Sequence, residues 1–256
     1  MSASASASPT PGSSPSHRKR NLLVAAIVVV VIAGVAGGGY GLWYILIGPS
    51  GLAAVNSGPP AIPAGAAVTA QASLDGAWNV NTSLGSVSDG TASFAGYRVK
   101  EQLVGVGGHT AVGRTPKVSG SMTLTGAVVS NVQVSADLSA LASDDSHRDD
   151  QLRRQAIETD NFPTATFTTT QPIDLGTLPT DSTAVSVNAT GTLTLHGVTK
   201  TVTVALQAIR RGGIIAVTAS LPIIFSDYSI QSPTSFSLIS VEDHGIMELH
   251  LLFTHA

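Results

Sequence analysis

The chain contains no cysteine. Disulfides, a thiolate nucleophile and any cysteine-ligated metal centre are therefore excluded. Charge is scarce as well, at 11% of residues and a net −3. Neither sign is concentrated enough to draw the chain to nucleic acid or another polyanion. The histidines lack close ligand spacings such as H-x-H or H-E-x-x-H, which metal sites favour. No serine sits in a G-x-S-x-G elbow. On this reading there is no metal, no cofactor and no catalytic set. What is abundant is Gly, Ala, Ser, Thr and Val. Branched and small residues with frequent turns suit an all-β domain.

That composition is unevenly distributed. Residues 1–20 are Ser, Ala and Pro ending in "SHRKR", a disordered tail that cannot bury a core. Residues 22–47, "LLVAAIVVVVIAGVAGGGYGLWYILI", carry no charge. As a helix they extend about 39 Å, against a hydrocarbon core of about 30 Å. A single transmembrane helix is expected over residues 21–47. A cleaved signal peptide is the alternative, but its apolar core is normally only about 7–15 residues long. Arg18, Lys19 and Arg20 precede the span, and the next basic residue is Arg98. The positive-inside rule then places the N-terminus in the cytoplasm and the rest outside the cell membrane. Residues 48–73 read as a flexible Pro/Gly/Ala linker. Residues 74–256 are long enough for one sizeable core.

This last region alternates apolar and polar residues. Val185, Val187, Ala189, Leu193 and Leu195 share one face; so do Val202, Val204 and Leu206, and Ile215, Val217, Ala219, Leu221 and Ile223. Such strands are buried on one face and pair antiparallel. His196-Gly197, Gly212-Gly213 and Asp243-His244-Gly245 read as hairpin turns. Further strands are expected at 77–81, 93–103, 117–125, 127–138 and 165–173. One short helix is expected after Ser146, with Asp149 completing a capping box and its charges forming a solvated face. About ten strands in a meander suggest a closed antiparallel β-barrel, which removes exposed edges. A β-sandwich is the alternative.

In a meander, connections alternate between the two ends. The helix, the Gly-rich segment 105–116, His196 and the loop 226–235 then fall at one end, the mouth. His244 falls at the base. His109, Arg114, His147, His196 and Asp227 are thereby candidates to converge at the mouth. His196 reads first as a turn residue beside Gly197; contact with a ligand head group is the second reading, for it and for His109 and Arg114.

Two stretches, "RRQAIETDNFPTATF" and "GTLTLHGVTKTVTV", closely resemble the YceI-like domain. The residues that carry this are Asp160, Phe162, Pro163, Phe167, Gly191, Leu193, Thr194, Gly197, Val198, Thr199, Lys200 and Val202, with Tyr97 and Val99 in an earlier strand. Glu101 stands where the family often has a basic residue or histidine. The resemblance implies a lipocalin-like barrel around an elongated apolar interior that binds polyisoprenoids or other amphiphilic lipids. It carries over no catalytic set.

The expected function is thus a non-enzymatic, membrane-anchored, extracytoplasmic lipid-binding protein that holds its lipid inside the barrel. Residues 22–47 hold the membrane, and the ligand is an isoprenoid or similar lipid. Tyr97, Val99, Phe167, Leu193, Leu195, Val202, Val204 and Ile223 are the inward candidates. The alternatives are a hydrolase or isomerase using the mouth polar set as acid–base groups, and a non-catalytic envelope scaffold.

Overall fold

Period-two patterning needs a partner for every strand edge, and closure into a ring supplies it. The computed structural model describes residues 60–66, 73–105, 107–233 and 238–256. Twelve strands occur among them: β1 (Gly76–Val80), β2 (Phe94–Leu103), β3 (Gly107–Thr115), β4 (Val118–Thr125), β5 (Val128–Asp137), β6 (Thr164–Thr169), β7 (Ile173–Asp174), β8 (Ala184–Leu195), β9 (Val198–Arg211), β10 (Ile214–Ile224), β11 (Leu238–Val241) and β12 (His244–His255). Eight of them close a barrel in the order β1-β4-β5-β6-β8-β9-β10-β12, sealed where β12 pairs with β1. The closing register sets Trp78 opposite His255 and Val80 opposite Phe253. The expected all-β closed antiparallel barrel is what forms. The tail, the expected membrane helix at 21–47 and most of the 48–73 linker lie outside the described residues. No described helix is long and apolar enough to cross a membrane.

One edge of β12 has two partners. Near the base, residues 253–255 pair with β1; nearer the mouth, Ile246–His250 pair with β2. The β2–β3 hairpin therefore continues the wall where the short β1 stops. Segment 105–116, expected as a loop, is mostly strand β3, paired with β2 from Ala95↔Thr115 to Leu103↔Gly107. Its glycines hide the alternation. At Gly113 a Cβ would lie 2.4 Å from the Tyr97 ring, so the aromatic covers bare backbone.

Asp243-His244-Gly245 is not a hairpin turn. β11 and β12 both run antiparallel to β2, with Val241↔Glu101 followed by Ile246↔Arg98. They are two parts of one interrupted strand. His244 consequently sits at the mouth, opposite Ile224, and not at the base.

The mouth is covered by the β5–β6 connection. Its helix α1 (Ser146–Gln151) is capped by Asp145, whose carboxylate accepts from the backbone of His147 and Arg148. Ser146, the expected start of the capping box, is the first helical residue. Asp149 instead accepts from Ser143, through both its backbone N–H and its hydroxyl. A wider turn, Leu152–Ala156, follows.

Trp78, 0% exposed, anchors the core beside Met122, Leu124, Leu251 and Phe253; its indole N–H donates to the Leu74 carbonyl at 2.9 Å. A second apolar cluster lies on the outer wall. There Ile62 and Ala66 pack on Ile214, Ala216 and Leu252, and Arg211 donates to the Ile62 carbonyl at 3.4 Å. Within residues 60–66 the expected free linker is docked on the barrel.

Candidate ligand site

Two chambers of about 130 Å³ each lie within the barrel. The upper one, at the mouth, is lined by Tyr97, Val99, Ala136, Leu195, Ile223 and Met247, with Leu152 and Ile157 from the cover above. The lower one is lined by Met122, Val134, Phe167, Ala189, Val217 and Leu249. No residue lines both. Leu193, Val202 and Leu221 belong to the packed core and border neither chamber. Apolar cavities of about 150 Å³ take up a benzene-sized guest. Each chamber therefore accommodates about five carbons, and the pair about ten.

Of the expected inward residues, Tyr97, Val99, Leu195 and Ile223 face the upper chamber and Phe167 the lower. Val204 is buried but borders neither.

The upper chamber has one polar end, made by Tyr97, Glu101 and Arg148. β2 supplies the first two in phase, since residues 97, 99 and 101 share a face. Arg148 reaches them from α1: its Nη2 donates to Glu101 Oε1 at 2.8 Å and its Nη1 to Asp144 at 2.6 Å. Burial opposes the guanidinium charge, but the bonds to Glu101 and Asp144 outweigh it and hold Arg148 above its ordinary pKa. The Tyr97 hydroxyl is buried and, among the described residues, within reach of Ser143 but without a well-formed hydrogen bond. Burial pushes its phenol well above the ordinary value, against the pull of the Arg148 charge. Arg148 was hidden in a charge run read as solvated. Glu101 is not among the expected site residues, although its phase with Tyr97 and Val99 is the signal that finds it.

The candidate mouth set does not converge. His109 Nδ1 meets Glu101 Oε1 at 3.0 Å and lines a separate polar hollow with Lys100, Gln102 and Glu242. Arg114 pairs with Gly96, one position out of phase with the inward-facing Tyr97, which points it to the outer face. There its guanidinium lies 4.2 Å over the Phe94 ring and donates to the Val87 carbonyl at 3.0 Å. A head-group role inside the barrel is closed to it. Asp227 pairs with Lys200 at 2.7 Å.

His196 is a turn residue. It and Gly197 have φ of 50° and 72°, the positive pair that a two-residue hairpin requires. Its ring is buried and donates from Nδ1 to the Tyr228 carbonyl at 2.9 Å. It packs on Phe162 at 4.3 Å between centroids. A Cβ on Gly197 would come within 2.7 Å of that same Phe162 ring. The β5–β6 cover and the β8–β9 hairpin are thus locked together through Phe162, which explains why their two sequence signatures occur together.

The YceI-like domain model matches residues 78–253, from Trp78 in β1 to Phe253 in β12. The chain belongs to the YceI-like family. Among curated relatives, the UPF0312 protein VVA0736 of Vibrio vulnificus is 32% identical over 125 residues, 45% of this chain and 61% of that protein. The chain thus spans less than two thirds of that relative. A polyisoprenoid binding domain from Saccharophagus degradans, implicated in plant cell wall breakdown, superposes with a TM-score of 0.54 at 20% identity. That match covers 70% of this chain and 98% of the neighbour. The likeness is one of fold, and this YceI-like chain shares the barrel architecture.

Proposed function

We propose that this protein is a non-catalytic carrier that holds an isoprenoid or similar amphiphilic lipid inside its barrel. The observation that carries this reading is the pair of apolar chambers within the barrel, the upper ending at the buried Tyr97 hydroxyl. At about 0.8 kcal/mol per buried CH₂, about five carbons enclosed in one chamber gain about 4 kcal/mol before ordering costs. Affinity then comes from the chain, and the polar end sets its direction. The ligand's polar end is a neutral hydrogen-bond acceptor facing Tyr97. An anionic head group is disfavoured, because the Arg148 charge is already engaged by Glu101 and Asp144.

Location is part of the same proposal. The uncharged run 22–47 behind a basic cluster supports a single-pass anchor with the barrel on the outer side. It would keep the carrier beside the membrane that supplies its lipid. The test is mass spectrometry of the organic extract of the purified full chain. A stoichiometric neutral isoprenoid supports the reading. A chain that carries no lipid and takes up none from vesicles doped with a neutral isoprenoid overturns it.

A further inference from the structure

Apolar side chains left in water are most informative when they gather at one place. Among the described residues, Val104, Ile224, Ile239 and Ile246 are exposed at the mouth end, and Val128 and Leu178 at the base. The two most exposed are Ile239 at 66% and Val104 at 58%, and both lie near the end of the β2–β3 hairpin. Val104 follows Leu103, Leu103 pairs with Leu238, and the register slips at Ile239. Among the described residues, nothing lies within 4 Å of where a Cβ on Gly105 or Gly107 would be. The tip also projects past the rim. Beyond the rim at His244 and Ile224, β2 continues from Glu101, opposite Val241, two residues to Leu103, or about 7 Å.

From this geometry we infer that the β2–β3 tip and β11 dip into a lipid bilayer; the inference rests on the lipid-carrier reading and names the surface from which the carrier is loaded. Three observations select a bilayer. The tip is continuous with the cavity, because Val241 of β11 and the half-exposed Ile246 both line the upper chamber. A lipid leaving the membrane meets apolar surface on its way in. The tip is also narrow, whereas a stable contact with a second copy or another protein needs about 20–30 residues a side. Finally, the neighbouring charges are few and of both signs, with Lys100 beside Glu242 and the Asp243 carboxylate hydrogen-bonded to the His244 ring, so no strong field of one sign opposes a zwitterionic surface.

The absence of cysteine permits single-site labelling of the full chain. Val104→Cys, Ile239→Cys and, at the base, Val128→Cys would each carry an environment-sensitive fluorophore, in phosphatidylcholine vesicles containing brominated lipid. Labels at 104 and 239 are expected to shift to the blue and be quenched about twofold or more, as for groups about 5–10 Å deep in the interface. The label at 128 should retain aqueous emission. Adding Val104→Asp should relieve the quenching at 239. Aqueous emission at 104 and 239, or equal quenching at 128, would overturn the inference. Uptake of a neutral isoprenoid by the same samples is measured separately. Insertion without uptake would discard the carrier and keep the contact; uptake without insertion would do the reverse.

Discussion

The ring of Phe167 occupies the space that a side chain on Gly191 would need. A Cβ there would lie 2.7 Å from Phe167 Cζ and 2.3 Å from the Thr168 carbonyl oxygen. The residues come from neighbouring strands, since Phe167 pairs with Leu193 and Thr169 with Gly191. A bare backbone position in β8 thus lets Phe167 lie flat against the wall and bound the lower chamber. Gly191→Ala is expected to destabilise the domain by about 1–3 kcal/mol, the usual cost of overpacking. Phe167→Ala in the same chain should not restore it, because the carbonyl clash remains. Urea unfolding of the single and double variants checks both statements.

Tyr97 separates stability from binding. Its buried hydroxyl has no well-formed hydrogen bond among the described residues, and a buried group left so costs about 1–3 kcal/mol. Tyr97→Phe should leave the empty protein as stable or more stable. It should weaken a neutral isoprenoid carrying a carbonyl or hydroxyl head about fivefold or more, the worth of one hydrogen bond. Thermal unfolding and a lipid titration on the same samples read the two effects. Unchanged affinity would remove Tyr97 from the head-group end.

His196 should matter to the turn and not to the ligand. His196→Asn keeps a residue that tolerates positive φ but gives up the 2.9 Å bond to Tyr228. A loss of about 1 kcal/mol is expected, with lipid affinity unchanged. A tenfold fall in affinity at intact stability would restore a ligand contact.

His250 makes stability pH-dependent. It is buried on the outer wall, stacked on Phe94, with Nδ1 2.7 Å from the Ala92 carbonyl and Nε2 3.0 Å from that of Ala61. Burial, with the Arg114 charge, holds its pKa below the ordinary 6.5, although both carbonyls favour the proton. The unfolded chain therefore binds a proton at a pH where the folded chain does not. This contribution to stability is complete above about pH 6.5 and is lost as the pH falls from there toward the folded value. Unfolding followed between pH 7.5 and 5 should show stability falling with acid, and His250→Gln should flatten that slope.

Much of this was legible in the residues. Alternation in the stretches around Val185–Leu195 and Ile215–Ile223 required half-buried antiparallel strands, and His196-Gly197 required a tight turn. Both follow from local rules, since side-chain phase and positive φ depend on neighbours in sequence. The inward phase of Tyr97, Val99, Leu195 and Ile223 was local too. β3 was not legible, because Gly107, Gly108 and Gly113 have no side chains to alternate, and the Tyr97 ring that covers Gly113 comes from another strand. The break between β11 and β12 was missed for a related reason: Asp-His-Gly has turn chemistry, and only pairing of both segments with β2 makes them one strand. Arg148 and Arg114 show the limit most clearly. Arg148 sits in a charge run and Arg114 in a glycine-rich stretch, and neither setting shows which way the side chain faces. One turns inward because Glu101 and Asp144 wait for it at the chamber's end, and the other turns outward because strand pairing puts it on Phe94. Phase along a strand is a property of the sequence itself; which charges meet, and on which side of the wall, was decided by ring closure and register.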